Sequence, residues 1–179
     1  MDNIMTDYEK FQRDLHRGAV FESGICHALA RNHTGYYESY PYITGVGQPS
    51  GDGRLTVGTK QFNCEVKAEV NRYPNYFFET HGGGGRESAL TEAAQKDFLW
   101  VHYNGHTDVL IVARASLLLP FVESHRGQSG ICFKAGVGDG QRASGFVVPV
   151  SLITGQSWVK SYPNFSGSYL TGSYALSFS

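Results

Sequence analysis

The stretch that most constrains this chain is Gln61-Phe62-Asn63-Cys64-Glu65-Val66-Lys67-Ala68-Glu69. Its residues alternate with period two, the repeat of a β-strand. Phe62, Cys64, Val66 and Ala68 fall on one face and can enter a core. Asn63, Glu65, Lys67 and Glu69 fall on the other, which sets a carboxylate beside an ammonium two residues away. An acid stands thirteen residues before Glu65, in Ser50-Gly51-Asp52-Gly53-Arg54. An acid, a short hairpin and then Glu-x-Lys on a strand form a pattern with a chemical use. Carboxylate oxygens hold hard divalent cations, and a lysine beside them can orient or polarise a water. Taken alone, Glu-x-Lys is more often an ordinary ion pair on a half-exposed strand.

The chain around this strand has 179 residues, enough for one domain with a sizeable core. Hydrophobic residues make up 41% and charged residues 17%, a globular and not a disordered composition. The net charge of -1 argues against tight, non-specific nucleic-acid binding through bulk charge. It leaves a nuclease open, because acidic ligands offset basic contacts in the sum. Cys26, Cys64 and Cys132 are widely spaced with no CxxC pair, so neither a disulfide framework nor a thiolate zinc site is signalled. Free buried thiols in a reducing compartment are expected. No apolar run has membrane-spanning length, and Met1-Asp2-Asn3-Ile4-Met5 lacks a signal-peptide pattern. The expectation is a soluble cytoplasmic protein with no membrane partner.

Residues from about Asp7 to Arg31 read as a helix, with Phe11, Leu15, Gly18, Glu22, Ile25 and Leu29 on one face. Glu22 near the centre of that stripe needs a partner, a shifted pKa or a metal. Either Gly18 bends the helix and lets Glu22 reach solvent, or Glu22 looks into a site shared with Glu65. Gly35 to Tyr42 is extended, with Pro41 confining it to an edge or a strand end. Gly45 to Gly53 reads as a loop, and Leu55-Thr56-Val57 with Phe62 to Glu69 as a hairpin turning at Gly58-Thr59-Lys60. Tyr76 to Thr80 is a further strand, and Gly82 to Gly85 a flexible connector, with a mobile flap as the other reading. That glycine run lacks the context of a phosphate loop.

Ser88 is placed to cap a helix running to Phe98, followed by strands at Leu99 to Tyr103 and Asp108 to Ala113 around an Asn104-Gly105 turn. A helix over Ser116 to Ser124 should face Leu117, Leu118 and Phe121 inward, with Pro120 limiting it to a first turn. Ile131 to Lys134 and Gly145 to Val150 form a late hairpin about Gly138-Asp139-Gly140. From about 155 the chain is rich in Gly, Ser and Tyr, compatible with an edge strand, a disordered tail or a partner-binding arm. A single domain over 1–179 is expected. His102 and His106 flank the turn and are discounted as a zinc pair, and Cys64 is a core thiol.

The order is helix with an inward Glu, loop with Asp, hairpin, Glu-x-Lys strand, strand, helix, strand. It resembles the PD-(D/E)XK nuclease superfamily, which has the restriction-endonuclease-like fold. The motif here reads Gly51-Asp52-Gly53, then Cys64-Glu65-Val66-Lys67, preceded by Phe21-Glu22. Tyr76-Phe77-Phe78-Glu79 and the stretch from Ser88 through Ala94-Gln95-Lys96-Asp97 look like phage-type and resolvase-like members. Gly51 stands where the name of the family has Pro. The match runs from about Phe11 to Ala113.

The resemblance implies an α/β fold with a restriction-endonuclease-like core, a mixed central β-sheet flanked by helices. It implies Mg²⁺-dependent hydrolysis of DNA phosphodiester bonds, with Mn²⁺ able to substitute. The enzyme would be structure-selective like a resolvase, or of restriction type. Asp52, Glu65, the Val66 carbonyl and Glu22 would be the metal ligands, and Lys67 would position water or stabilise charge on the phosphate. Glu79 and Gln95 are weaker candidates. Arg72, Arg86 and Lys96, with Arg114, are candidate phosphate contacts, and Glu69 is left as a solvated charge. A homodimer fits the small size, and a phage-encoded enzyme would act in the host cytoplasm. Two alternatives stand beside this: a nuclease fold that binds nucleic acid or protein without catalysis, and an unrelated α/β protein in which Glu65 and Lys67 are a surface pair.

Overall fold

A computed structural model describes residues 7–40, 51–69, 72–82, 87–128, 130–137 and 143–169. Helix α1 spans Asp7–Asn32 and runs through Gly18 without a break. Ile25, Cys26, Ala28, Leu29 and Ala30 form its buried face, the three- and four-residue spacing that an amphipathic helix gives. The helix stops where Thr34 turns left-handed (φ 50°) and the Gly35 N–H returns to the Ala30 carbonyl at 2.7 Å.

Three antiparallel strands follow in a meander: β1 (Tyr36–Ser39), β2 (Gly53–Val57) and β3 (Lys60–Glu69). Strand β4 (Asn75–His81) and helix α2 (Ala89–Gln95) intervene before β5 (Leu99–Asn104), which lies parallel to β3. The Ser88 hydroxyl caps α2 by accepting the Thr91 N–H at 3.1 Å. Strand β6 (Val109–Arg114) pairs antiparallel with β5, and helix α3 (Ala115–Ser124) follows it. Next come β7 (Cys132–Val137), β8 (Ala143–Pro149), α4 (Val150–Thr154), β9 (Lys160–Pro163) and α5 (Phe165–Tyr169).

The central sheet has six strands in the order β1-β2-β3-β5-β6-β9, mixed because β3 and β5 alone run parallel. Its first face carries Tyr37, Leu55, Cys64, Val66, Val101, Tyr103 and Leu110 into a core with α1 and Phe165 of α5. Its second face carries Trp100 and Ile111 into a core with Tyr76, Phe78, Phe146 and Val148 of a three-stranded sheet, β4-β8-β7, and with α2, α3 and α4. This is an α/β architecture with a mixed central sheet flanked by helices, the second flank shared with a small sheet.

The strand at Tyr76 forms as expected and pairs with β8 in the second sheet. Several local expectations change. Pro120 lies inside α3, which continues to Ser124. Leu118 and Val122 turn inward, whereas Leu117 is 47% exposed. Of the segment from 155, β9 becomes the edge strand beside β6 and Phe165 is fully buried. Pro41, Gly45 to Ser50, Gly83 to Arg86, the Gly138-Asp139-Gly140 turn and residues 170–179 lie outside the described residues.

Candidate active site at the split between two strands

Strands β2 and β3 stay paired only as far as Gly53 and Cys64. One step further, the Asp52 N–H still donates to the Cys64 carbonyl at 2.8 Å. The chain then turns away at Gly51, whose φ of 88° suits glycine. A side chain on Gly51 would meet the Cys64 carbonyl at 2.6 Å, and one on Gly53 would strike Glu38 and Tyr37. The two glycines therefore fix Asp52: neither position has room for a side chain, and the acid between them is pressed against β3.

Beyond the split, the β2-facing edge of β3 has backbone groups without a strand partner, and buried N–H groups must be satisfied. The Val66 N–H donates to Asp52 Oδ2 at 2.7 Å. The Ala68 N–H donates to the Glu22 carboxylate, which reaches the strand from half-buried α1. The N–H and C=O of one strand residue point to the same side, so the Val66 carbonyl opens on this edge too. Lys67 Nζ donates to Glu65 Oε1 at 2.8 Å; the Glu65 side chain is 13% exposed and that of Lys67 38%.

Three carboxylates thus surround one ammonium. Burial pushes the Glu22 carboxyl up to about 7; Lys67 opposes the shift, and Asp52 and Glu65 add to it. Burial also raises Glu65, again opposed by Lys67 and supported by Asp52 and Glu92. Burial alone would lower the Lys67 ammonium, but Glu65, Asp52 and Glu22 outweigh it and hold Lys67 charged, above the usual lysine range. Glu79 on β4 is raised by burial and feels Lys67, so it borders the cluster.

The other sequence candidates stand apart. The exposed Gln95 side chain donates to Glu87 at 2.9 Å. Lys96 pairs with Glu92 one helical turn back. Arg114 pairs with Asp97 at 2.9 Å and lies over Phe62. Arg72 is exposed, and Arg86 is outside the described residues.

Glu69 is not a solvated charge. Its Oε1 accepts the Phe77 N–H at 2.6 Å and lies 2.9 Å from His102 Nε2. His102 is fully buried, and its Nδ1 accepts the Trp100 indole N–H at 3.2 Å. With Nδ1 accepting, the ring proton sits on Nε2, 2.9 Å from Glu69 Oε1 in a contact not aligned as a hydrogen bond. The signal was a lone polar residue in the apolar run Leu99-Trp100-Val101-His102-Tyr103, since a buried polar group requires a partner.

Among the described residues, no three acids, histidines or cysteines stand close enough to hold a metal ion by themselves. Mg²⁺ does not require that: it is usually bound through one or two carboxylates, with water and substrate phosphate completing the octahedron. The donor set fits such an ion, being all oxygen and carrying more negative charge than Lys67 balances. Among the described residues, no helix is long and apolar enough to cross a membrane. No protein-family model matches the chain, and no curated protein or solved structure matches it either.

Proposed function

We propose that the chain is a divalent-metal-dependent endonuclease that hydrolyses DNA phosphodiester bonds, with a restriction-endonuclease-like core. One observation carries this: Glu22, Asp52 and Glu65 converge with Lys67 where β2 leaves β3. The order of elements supports it. A helix is followed by a meander with Glu-x-Lys on its third strand, then a strand, a helix and a strand parallel to the Glu-x-Lys strand.

Asp52 and Glu65, with the Val66 carbonyl, would hold Mg²⁺ or Mn²⁺, and Glu22 would complete or support the set. When bound, the ion supplies Lewis acidity, polarising the phosphate and lowering the pKa of a water. Lys67 keeps its proton and directs positive charge at the attacked phosphate. Glu22, raised to about 7, is only partly ionised near neutral pH, and a bound cation would favour its carboxylate, coupling metal loading to proton release. The substrate would be a branched structure or a restriction-type duplex, cleaved by a homodimer in the cytoplasm, or in the host cytoplasm if the chain is phage-encoded.

The test incubates the protein with supercoiled, linear, single-stranded and branched DNA in Mg²⁺, Mn²⁺ or EDTA. Cleavage should require the metal and fall about 100-fold or more in Glu65→Ala and Lys67→Ala. Cleavage that persists in both variants would sink the assigned site. A second reading has one observation in its favour: Asp52 and Glu22 already serve as acceptors for Val66 and Ala68. On that reading the fold binds nucleic acid or protein without catalysis, and no substrate is cut.

A further inference from the structure

The sheet face that carries Glu65 and Lys67 continues away from them across β1 and β2. Glu38 stands opposite Arg54 and Arg54 opposite Asn63, which lies two residues before Glu65 on the same face. This part of the face is open: Tyr36 is 62% exposed, and Glu38 and Asn63 are exposed as well.

Arg54 occupies the middle of that row and is braced. Its Nε donates to the Tyr40 hydroxyl at 2.9 Å, and that hydroxyl donates to Asn63 Oδ1 at 3.3 Å. The Tyr40 N–H donates to the Asp52 carbonyl at 2.9 Å. The brace is thus tied to the backbone of one candidate ligand and to the strand of another. It uses Nε and leaves both terminal nitrogens of the guanidinium out of the bond. An arginine that served only solubility would gain nothing from a fixed fork, because ordering a long side chain costs entropy. A fixed planar fork is what phosphate recognition uses. One strand over and two residues along, its backbone lies roughly 8 Å from that of Glu65 by ordinary strand spacing.

The geometry points to Arg54, braced by Tyr40 and Asn63, as the anchor for a DNA phosphate next to the one attacked at Glu65 and Lys67. The DNA strand then runs over the open face of β1 to β3, where the Tyr36 ring is free for a base to stack on. Glu38 stands opposite Arg54 across β1 and β2 and, at so exposed a site, adds only a weak attraction that a phosphate would outweigh. The inference rests on the nuclease reading.

Binding of labelled duplex and single-stranded DNA is measured by fluorescence anisotropy in the full chain, in Mg²⁺, with Lys67→Ala as the background that stops cleavage. Adding Arg54→Ala should weaken binding about tenfold and reduce the slope of log K against log salt on duplex by about 0.9. Tyr40→Phe keeps the charge and loses the brace, so affinity should fall by about threefold with the slope unchanged. Thermal melts check that each variant folds. Background protein that binds DNA while Arg54→Ala changes neither affinity nor slope overturns the anchor and leaves the nuclease reading standing. Absence of binding and of wild-type cleavage overturns both. Arg54-dependent self-association without DNA binding would assign the face to a second copy and overturn the anchor.

Discussion

Glu22 gives the sharpest test, because its protonation state is tied to fold stability as well as to the proposed metal site. Its carboxyl is raised from 4.5 to about 7, chiefly by burial and further by Asp52 and Glu65. The folded state therefore binds a proton more tightly than the unfolded state. The contribution is full below about pH 4.5 and is lost as pH rises through about 7. A shift of that size corresponds to at most roughly 3–4 kcal/mol at about 1.4 kcal/mol per unit. Partial exposure of the side chain reduces the expected value to about 2 kcal/mol. Glu22→Gln has no proton to lose. Measured by urea unfolding in EDTA, it should match wild type near about pH 4 and exceed it by about 2 kcal/mol at pH 8. Adding Mg²⁺ at pH 8 should stabilise wild type more than the variant, because only the carboxylate gains a counter-charge. Parallel stability curves from pH 5 to 8 would refute the burial of Glu22 among like charges. A gap that opens toward pH 8 in EDTA but shows no response to Mg²⁺ would keep the burial and remove Glu22 from the proposed ligand set.

Other consequences can be checked more simply. Asn104 is fully buried; its Nδ2 donates to the carbonyls of Tyr73 and Asn75, and its Oδ1 accepts from the N–H and hydroxyl of Thr107. Asn104→Ala should cost about 3 kcal/mol in urea unfolding, and a loss under about 1 kcal/mol would show that the turn does not depend on these bonds. Cys132 is exposed, whereas Cys26 and Cys64 are buried with their thiols raised, Cys64 to about 12. A thiol-specific reagent should label Cys132 quickly and the other two only on unfolding; rapid labelling of Cys64 would contradict its place in the core.

Alternation along β3 was enough to assign its two faces, and the three- and four-residue spacing in α1 was enough to place Glu22 with Ile25 and Leu29. Periodicity reports which way a side chain points, not which strand lies beside it. For that reason the pairing of β4 with β8, roughly seventy residues away in sequence, had no local signature. The same limit hid Glu69, which shares the alternation of Glu65 and looked equally solvated. Its burial depends on β4 folding over it and on His102 arriving from β5. Asp52 is the converse case. Its flanking glycines resemble a slack loop in sequence, but each is required by a backbone or side chain from another strand.

The split between β2 and β3 also bears on why the acids are there at all. Two open N–H groups on β3 need acceptors, and a neutral amide or hydroxyl would satisfy them without burying charge. Asp52 and Glu22 do the same work at a cost, since each adds to the negative field that raises Glu65 or is itself raised by it. Lys67 offsets part of that field but is one cation among three carboxylates. A purely structural edge would be more stable with a single acid, or with none. Retaining three beside one lysine makes sense where a second cation arrives to share them, which places the stability lost in the metal-free state and the proposed chemistry at the same four side chains.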